Sequence, residues 1–304
     1  MITLKRINNL RFRMSRQLHI QACDIHRNWL WHTGGKEYYT RHYQDILEAH
    51  KWVFIVGCNN SGTTLLQKAL EKCGQISVMK FEGQRHTNTL PRAYKYGFDR
   101  VWSEYAEDLH MPINNSAAIL PRLVHDWISA LPKPVNQVIV EKTPANLVRM
   151  DFLNKHFPHA YFIGLVRNGY AVAEGIKRRS GHSLERAAKH WKRVGELLTR
   201  NSQEVANYLE VRYEDLAENP TANIAKLAEF IGLETGAPSD VKAEAFALPT
   251  ERGCIKQSIQ NLNSESISRL TVAEKKSIYK HAGAMLDLYD YSTNPALQKK
   301  QSPL

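Results

Sequence analysis

The run Val53-Phe-Ile-Val-Gly57-Cys-Asn-Asn-Ser61-Gly62-Thr63-Thr64-Leu-Leu carries the densest chemistry in the chain. An apolar stretch enters a tight polar turn and leaves as a helix-forming segment. Backbone N–H groups of such a turn, backed by the N-terminus of the following helix, converge on one point and bind a phosphate. The cradle would consist of Asn59, Asn60, Ser61, Gly62, Thr63 and Thr64. Gly57 and Gly62 permit the required backbone angles, and the hydroxyls add donors. The two glycines have the Gly-x4-Gly spacing of the nucleoside-triphosphatase loop, but Thr63 stands where that loop has Lys. Such a Lys serves the outer phosphates of a magnesium triphosphate. No apolar strand ending in Asp offers a metal partner either. The expected ligand is a phosphate, without magnesium and a triphosphate; the plain alternative is an ordinary strand-to-helix turn.

Cations recur at other strand ends. Val138-Ile-Val-Glu141-Lys142-Thr143-Pro144 ends one apolar run, and Tyr161-Phe-Ile-Gly-Leu-Val166-Arg167-Asn-Gly169 ends another. Ligands of open parallel sheets sit at the C-terminal strand ends, so Lys142 and Arg167 are aimed at the crevice of the loop. Lys177, Arg178 and Arg179 follow one helix later. A lone strand-end Arg is usually a surface ion pair; a set of cations at one sheet edge suggests a ligand with two separated anionic groups.

The elements that must position these residues are legible as apolar runs. Strands are expected at Trp52–Val56, Ile76–Met79, Val138–Val140, Tyr161–Val166 and Tyr208–Val211. Helices are expected at 63–72, at 144–155 with Thr143 as N-cap, at 184–198, at 220–231 between Asn219 and Gly232, and from a Thr271–Glu274 capping box to about Leu288. This alternation predicts an α/β fold: a P-loop-type parallel β-sheet flanked by helices on both faces. Residues 1–50 read as a helical or irregular basic arm, and 51–304 as one domain with a substrate-binding insertion at about 81–135.

The 304 residues carry 41 Lys and Arg against 30 Asp and Glu, for a formal charge of +11, which favours anionic partners. No basic-aromatic stripe or zinc finger points to specific nucleic-acid binding. Cys23, Cys58, Cys73 and Cys254 are scattered without metal-ligand spacing, which argues for reduced thiols. Met1–Gln21 lacks an apolar signal core, and no run of eighteen apolar residues offers a membrane span. A cytoplasmic protein of unassigned oligomeric state is the expectation.

Taken in order, the Ser-Gly-Thr-Thr turn, Glu-Lys-Thr-Pro, Val-Arg-Asn-Gly and Val211-Arg-Tyr-Glu-Asp-Leu216 resemble the sulfotransferases that use 3′-phosphoadenosine 5′-phosphosulfate (PAPS), the bacterial and tyrosylprotein branches above all. The resemblance runs from about Trp52 to Ser292. It implies PAPS as co-substrate, no required metal, and a small-molecule, carbohydrate or peptide acceptor. It implies that Asn59–Thr64 hold the 5′-phosphosulfate, that Arg167 and Arg179 serve the 3′-phosphate, and that Tyr213 approaches the adenine side. Lys142 matches a cation near the leaving group, Glu82 the general base, and Ser268 a serine near the sulfate. His86 is a second candidate base. Two positions depart from the pattern: Asn60 replaces the usual Lys or Arg, and Gly175 replaces a Ser that helps bind the 3′-phosphate. A catalytically impaired PAP-binding relative (PAP being the desulfated product) and a P-loop nucleotide kinase remain alternatives.

Overall fold

The computed structural model describes residues 18, 21–93, 99–114, 117–233, 241, 245–250 and 253–292. The arm cations Lys5, Arg6, Arg11, Arg13 and Arg16, together with Tyr94, Lys95, Tyr96 and Phe98, lie outside the described residues.

Five strands form the central sheet: β1 (Lys51–Gly57), β2 (Ile76–Val78), β3 (Val138–Lys142), β4 (Ala160–Val166) and β5 (Tyr208–Arg212). Their order is β2-β3-β1-β4-β5, and every pairing is parallel. The expected α/β architecture is therefore the one observed. Side chains alternate across a strand, and β1, covered on both faces, divides its apolar residues between two cores. Val53 and Ile55 join one core with Leu65, Leu66, Leu165 and Leu227. Trp52, Phe54 and Val56 join the other with Trp127, Phe157, Phe162 and Trp191. Phe54 stacks on Phe162 and meets Phe157 edge-on, each with centroids 5.4 Å apart.

The helices include α1 (Lys36–Ala49), α2 (Thr63–Glu71), α3 (Leu120–Ser129), α4 (Met150–His156), α5 (Gly169–Ser180), α6 (Leu184–Asn201), α7 (Tyr213–Glu218), α8 (Pro220–Ile231), α9 (Asn263–Ser268) and α10 (Val272–Leu288). Most boundaries obey the local chemistry. The Asn219 side chain accepts from the Ala222 N–H to open α8, and Gly232 closes it at φ 72°. Thr271 and Glu274 form the expected reciprocal cap of α10. On α6 the stripe Leu184, Ala187, Trp191, Val194 and Leu198 is buried throughout.

Thr143 departs from expectation. Its side chain caps nothing; the hydroxyl donates to the Glu141 carboxylate instead, and the chain passes through a 3-10 turn, Pro144–Arg149, before α4 begins. The hydroxyl, turned toward the buried Glu141 carboxylate, makes no bond to the N–H groups of the turn. A second departure is the antiparallel pair β6 (Phe246–Thr250) and β7 (Gly253–Gln257). It is short and interrupted by Pro249, so neither strand carries a clear alternation.

Candidate functional site

Register decides what meets at the upper edge of the sheet. Lys142 pairs with Ile55, Gly57 with Leu165, and Val166 with Arg212. The ends of β1, β3, β4 and β5 thus open into one crevice, which gathers the β1–α2 loop, Lys142 at the last position of β3, and Arg167 and Tyr213 just after β4 and β5.

The loop is tightly constrained. Gly57 has φ 138°, and a Cβ there would lie 2.4 Å from the Leu165 carbonyl oxygen, so only glycine lets β1 and β4 end this close together. Gly62 has φ 100° and sits against the Tyr213 ring. Asn60 is also left-handed at φ 67°, a conformation that Asn tolerates better than most residues. Gly62 supplies no side-chain cap to α2, whose first turn therefore presents N–H groups to the loop. Within the loop, Ser61 is 0% exposed and its Oγ has no hydrogen-bond partner. The Asn59 Oδ1 and Asn60 Nδ2 atoms are buried and unpartnered as well. Buried polar atoms without partners are costly, so three within three residues make the loop a candidate site for a polar ligand.

Arg167 leaves β4 toward this loop. Its Nη1 donates to the Asn60 carbonyl oxygen at 3.0 Å, and its Nε donates to Asn263 Oδ1 at 2.8 Å. The guanidinium lies 4.1 Å above the centroid of the Tyr213 ring. Burial lowers the Arg167 pKa, against the opposing pull of Tyr213, Glu214 and Glu174. Tyr213 is fixed in turn by its hydroxyl, which donates to the Gln260 carbonyl at 2.7 Å. Asn263 is fixed by Glu214, which accepts from its Nδ2 at 2.6 Å.

At the end of β3, Lys142 Nζ meets Glu82 Oε1 at 3.1 Å; the two side chains are 10% and 21% exposed. Gln84 donates to the other Glu82 oxygen at 2.7 Å. Burial raises the Glu82 pKa, but Lys142, Arg85 and the hydrogen bonds outweigh it and hold the carboxyl at about 2. The peptide beside Glu82 is clamped at both ends. The Gly83 N–H donates to Glu141 Oε1 at 2.6 Å, and the Gly83 carbonyl accepts from Trp127 Nε1 at 3.1 Å. A Cβ at Gly83 would come within 2.7 Å of that Glu141 oxygen. Asn146 donates to Glu141 Oε2 at 2.6 Å. Burial is the main influence on Glu141 and pushes its carboxyl up to about 7.

Other expected contributors lie elsewhere or are otherwise engaged. Lys177 pairs with Glu274 and Arg178 with Glu174, so this part of the cation run serves the surface of α5. Arg179 is exposed on the last turn of α5. Ser268 is exposed and its hydroxyl donates back to the Glu265 carbonyl at 2.9 Å; Asn263 of the same helix is the residue that meets Arg167. His86 Nε2 accepts from the Phe81 N–H at 3.3 Å, and burial together with Arg27 pushes its pKa down to about 3. Its lone pair is engaged, which removes it as a second base. Thr63 is buried and Thr64 half-buried at the start of α2. Gly175 faces the loop: a Cβ built there would lie 3.4 Å from Asn60 Cβ, so the two departures from the family pattern are neighbours. Of the insertion's aromatics, Trp102 is buried edge-on against His190, with centroids 5.2 Å apart. Arg92 is buried and donates to the Thr87 carbonyl.

Sequence reasoning missed Arg100, Glu141 and Asn263. Arg100 sits in a 3-10 segment, Asp99–Tyr105, and donates to Asn60 Oδ1 at 3.1 Å. No motif surrounds it, and a forty-residue separation from the loop leaves no local signal. Glu141 was visible only as the residue before Lys142. Among the described residues, no cluster of three or more His, Cys, Asp or Glu could hold a metal ion. None of their helices is long and apolar enough to cross a membrane.

The family model described as "Sulfotransferase family" matches residues 53–237, from within the loop-bearing strand to beyond α8. The chain belongs to the sulfotransferase family. No curated protein matches it. Among solved structures it is similar to the sulfotransferase domain of the Synechococcus PCC 7002 olefin synthase, at 17% identity over 78% of this chain and 96% of that one, with a TM-score of 0.44. A sulfotransferase from Mycobacterium avium aligns at 14% identity over 84% and 81%, with a TM-score of 0.48. A retinol dehydratase solved with androsterone and the inactive cofactor PAP aligns at 15% identity over 84% and 74%, with a TM-score of 0.34.

Proposed function

We propose that this member of the sulfotransferase family transfers the sulfuryl group of PAPS to a hydroxyl or amine of an acceptor by in-line displacement. The observation that carries the reading is the β1–α2 loop. It holds three buried polar atoms without partners at a helix start, with the Arg167 guanidinium bonded to the same loop. That combination suits a nucleotide with anionic groups at two ends, one taken by main-chain amides and one by a guanidinium.

PAPS would supply the reactive sulfur–oxygen bond; the chain's residues would position it and neutralise charge. The loop amides and the Ser61, Thr63 and Thr64 hydroxyls would hold the 5′ end, with Arg167, and Arg179 from the end of α5, on the 3′-phosphate. Lys142 would stabilise the departing phosphate oxygen. Glu82 would take the acceptor's proton. In the resting site Lys142 holds that carboxylate ionised, and so makes it a weak base. An anion that shares Lys142 loosens this hold and raises the proton affinity of Glu82 as the reactants assemble. The insertion at about 81–135 would contact the acceptor.

PAP should raise the melting temperature, and ADP with magnesium should not; the reverse result would favour a kinase. Labelled PAPS incubated with a metabolite extract should yield sulfated products by mass spectrometry. Glu82→Gln should stop this transfer while PAP stays bound; full turnover in that variant would remove Glu82 from the role. The two neighbouring departures, Asn60 and Gly175, favour a second reading, a PAP-binding protein without turnover. PAP binding with no transfer to a broad acceptor panel would select it.

A further inference from the structure

The β1–α2 loop contains no cation of its own: Asn59-Asn60-Ser61-Gly62-Thr63-Thr64 is neutral throughout. An anion seated among its buried polar atoms would meet dipoles alone, unless a charge arrives from another part of the chain. One does. Arg100, on the 3-10 segment of the insertion, donates through Nη1 to Asn60 Oδ1 at 3.1 Å. Arg167 donates through its own Nη1 to the carbonyl of the same residue at 3.0 Å. Two guanidinium groups thus converge on Asn60, one on its side chain and one on its backbone. Like charges brought to one residue repel, and anionic groups seated beside them relieve that repulsion. Asn60 suits the purpose. Its backbone is left-handed, at φ 67°. The amide oxygen is occupied by Arg100 while the Nδ2 stays buried and unpartnered.

We infer that Arg100 is a further side-chain cation of the loop's anion site, beside Lys142, delivered from the insertion and steered into place by Asn60. Resting on the PAPS reading above, the inference adds a division of labour. Arg100 serves the 5′ anionic group at the loop, and Arg167 serves the 3′-phosphate. Because Arg100 belongs to the segment that would contact the acceptor, nucleotide binding and ordering of the acceptor side become coupled through one residue.

The test uses the full chain and three probes: PAP, 5′-AMP and 3′-AMP, each titrated by calorimetry. A charge-assisted hydrogen bond to phosphate is worth enough that Arg100→Ala should weaken PAP and 5′-AMP about tenfold or more, leaving 3′-AMP within about twofold. Arg100→Lys should retain part of the affinity, since it keeps the charge and loses the fork. The double variant Asn60→Lys, Arg100→Ala, which returns a cation to the loop itself, should recover binding of 5′-AMP. An unchanged melting temperature in these variants separates lost binding from lost folding. Equal losses for 5′-AMP and 3′-AMP, or no loss at all while the unaltered chain binds PAP, would overturn the role of Arg100 and leave the PAPS reading standing. An unaltered chain that binds none of the three nucleotides would overturn both.

Discussion

Replacing Glu82 by Gln should change how stability depends on pH, with a sign and size set by the ion pair at the end of β3. Glu82 titrates at about 2 in the folded chain and at the ordinary carboxylate value of 4.5 when unfolded. Between these values the unfolded chain binds more protons, so acid drives unfolding. The stabilisation is fully present above pH 4.5 and disappears as the pH falls toward 2. At about 1.4 kcal/mol per tenfold change in equilibrium constant, the full interval is worth about 3 kcal/mol, and about 1 kcal/mol of it is gone by pH 3.5. The side chains are only 21% and 10% exposed, so solvent screens the pair weakly. Glu82→Gln keeps the shape and removes the titration. Urea unfolding of both proteins at pH 6 and pH 3.5 should show the wild-type advantage shrinking by about 1 kcal/mol. Glu141→Gln provides a control of opposite sign. Burial pushes Glu141 up to about 7, so the wild type loses stability relative to that variant as pH rises from 4.5 to 7. A wild-type advantage over Glu82→Gln that stays constant between the two pH values would refute the electrostatic account of the Lys142–Glu82 pair.

Arg167→Ala should weaken PAP at least tenfold, as expected for loss of a charge-assisted contact, and should weaken 5′-AMP by much less; equal losses by titration would show that Arg167 does not read the 3′-phosphate. Gly57→Ala should lower stability by about 2 kcal/mol or more, because the new Cβ meets the Leu165 carbonyl at a residue with φ 138°. Thermal and urea unfolding measure it, and a loss under about 0.5 kcal/mol would mean that β1 and β4 can separate at no real cost.

The architecture was legible because its signals are local. Buried parallel strands need unbroken apolar runs, and those runs lie within a residue or two of the observed β1, β3, β4 and β5. Caps such as Asn219 and Thr271–Glu274 act within four residues, so their chemistry is written in order along the chain. The loop from Gly57 to Thr64 could be read for the same reason: glycine, small polar residues and a helix start sit side by side. A strand that ends in Lys or Arg also directs that residue to the crevice once the sheet is parallel, which made Lys142 and Arg167 visible.

What required the tertiary structure was every interaction between residues far apart in the chain. The partner of Lys142 is sixty residues away, the partner of Arg167 on α9 ninety-six, and Arg100 comes to Asn60 from an insertion without a motif. Thr143 shows the same effect in miniature, since its hydroxyl turns toward a carboxylate buried by packing and makes no cap bond. By itself the sequence determined a parallel sheet with a polar loop at its upper edge and two cations aimed there. Only the folded chain decided which carboxylate Lys142 holds and which guanidinium groups converge on the loop. Charge and hydrogen bonding act through space over a few ångströms, and it is packing that sets which distant residues come within that reach.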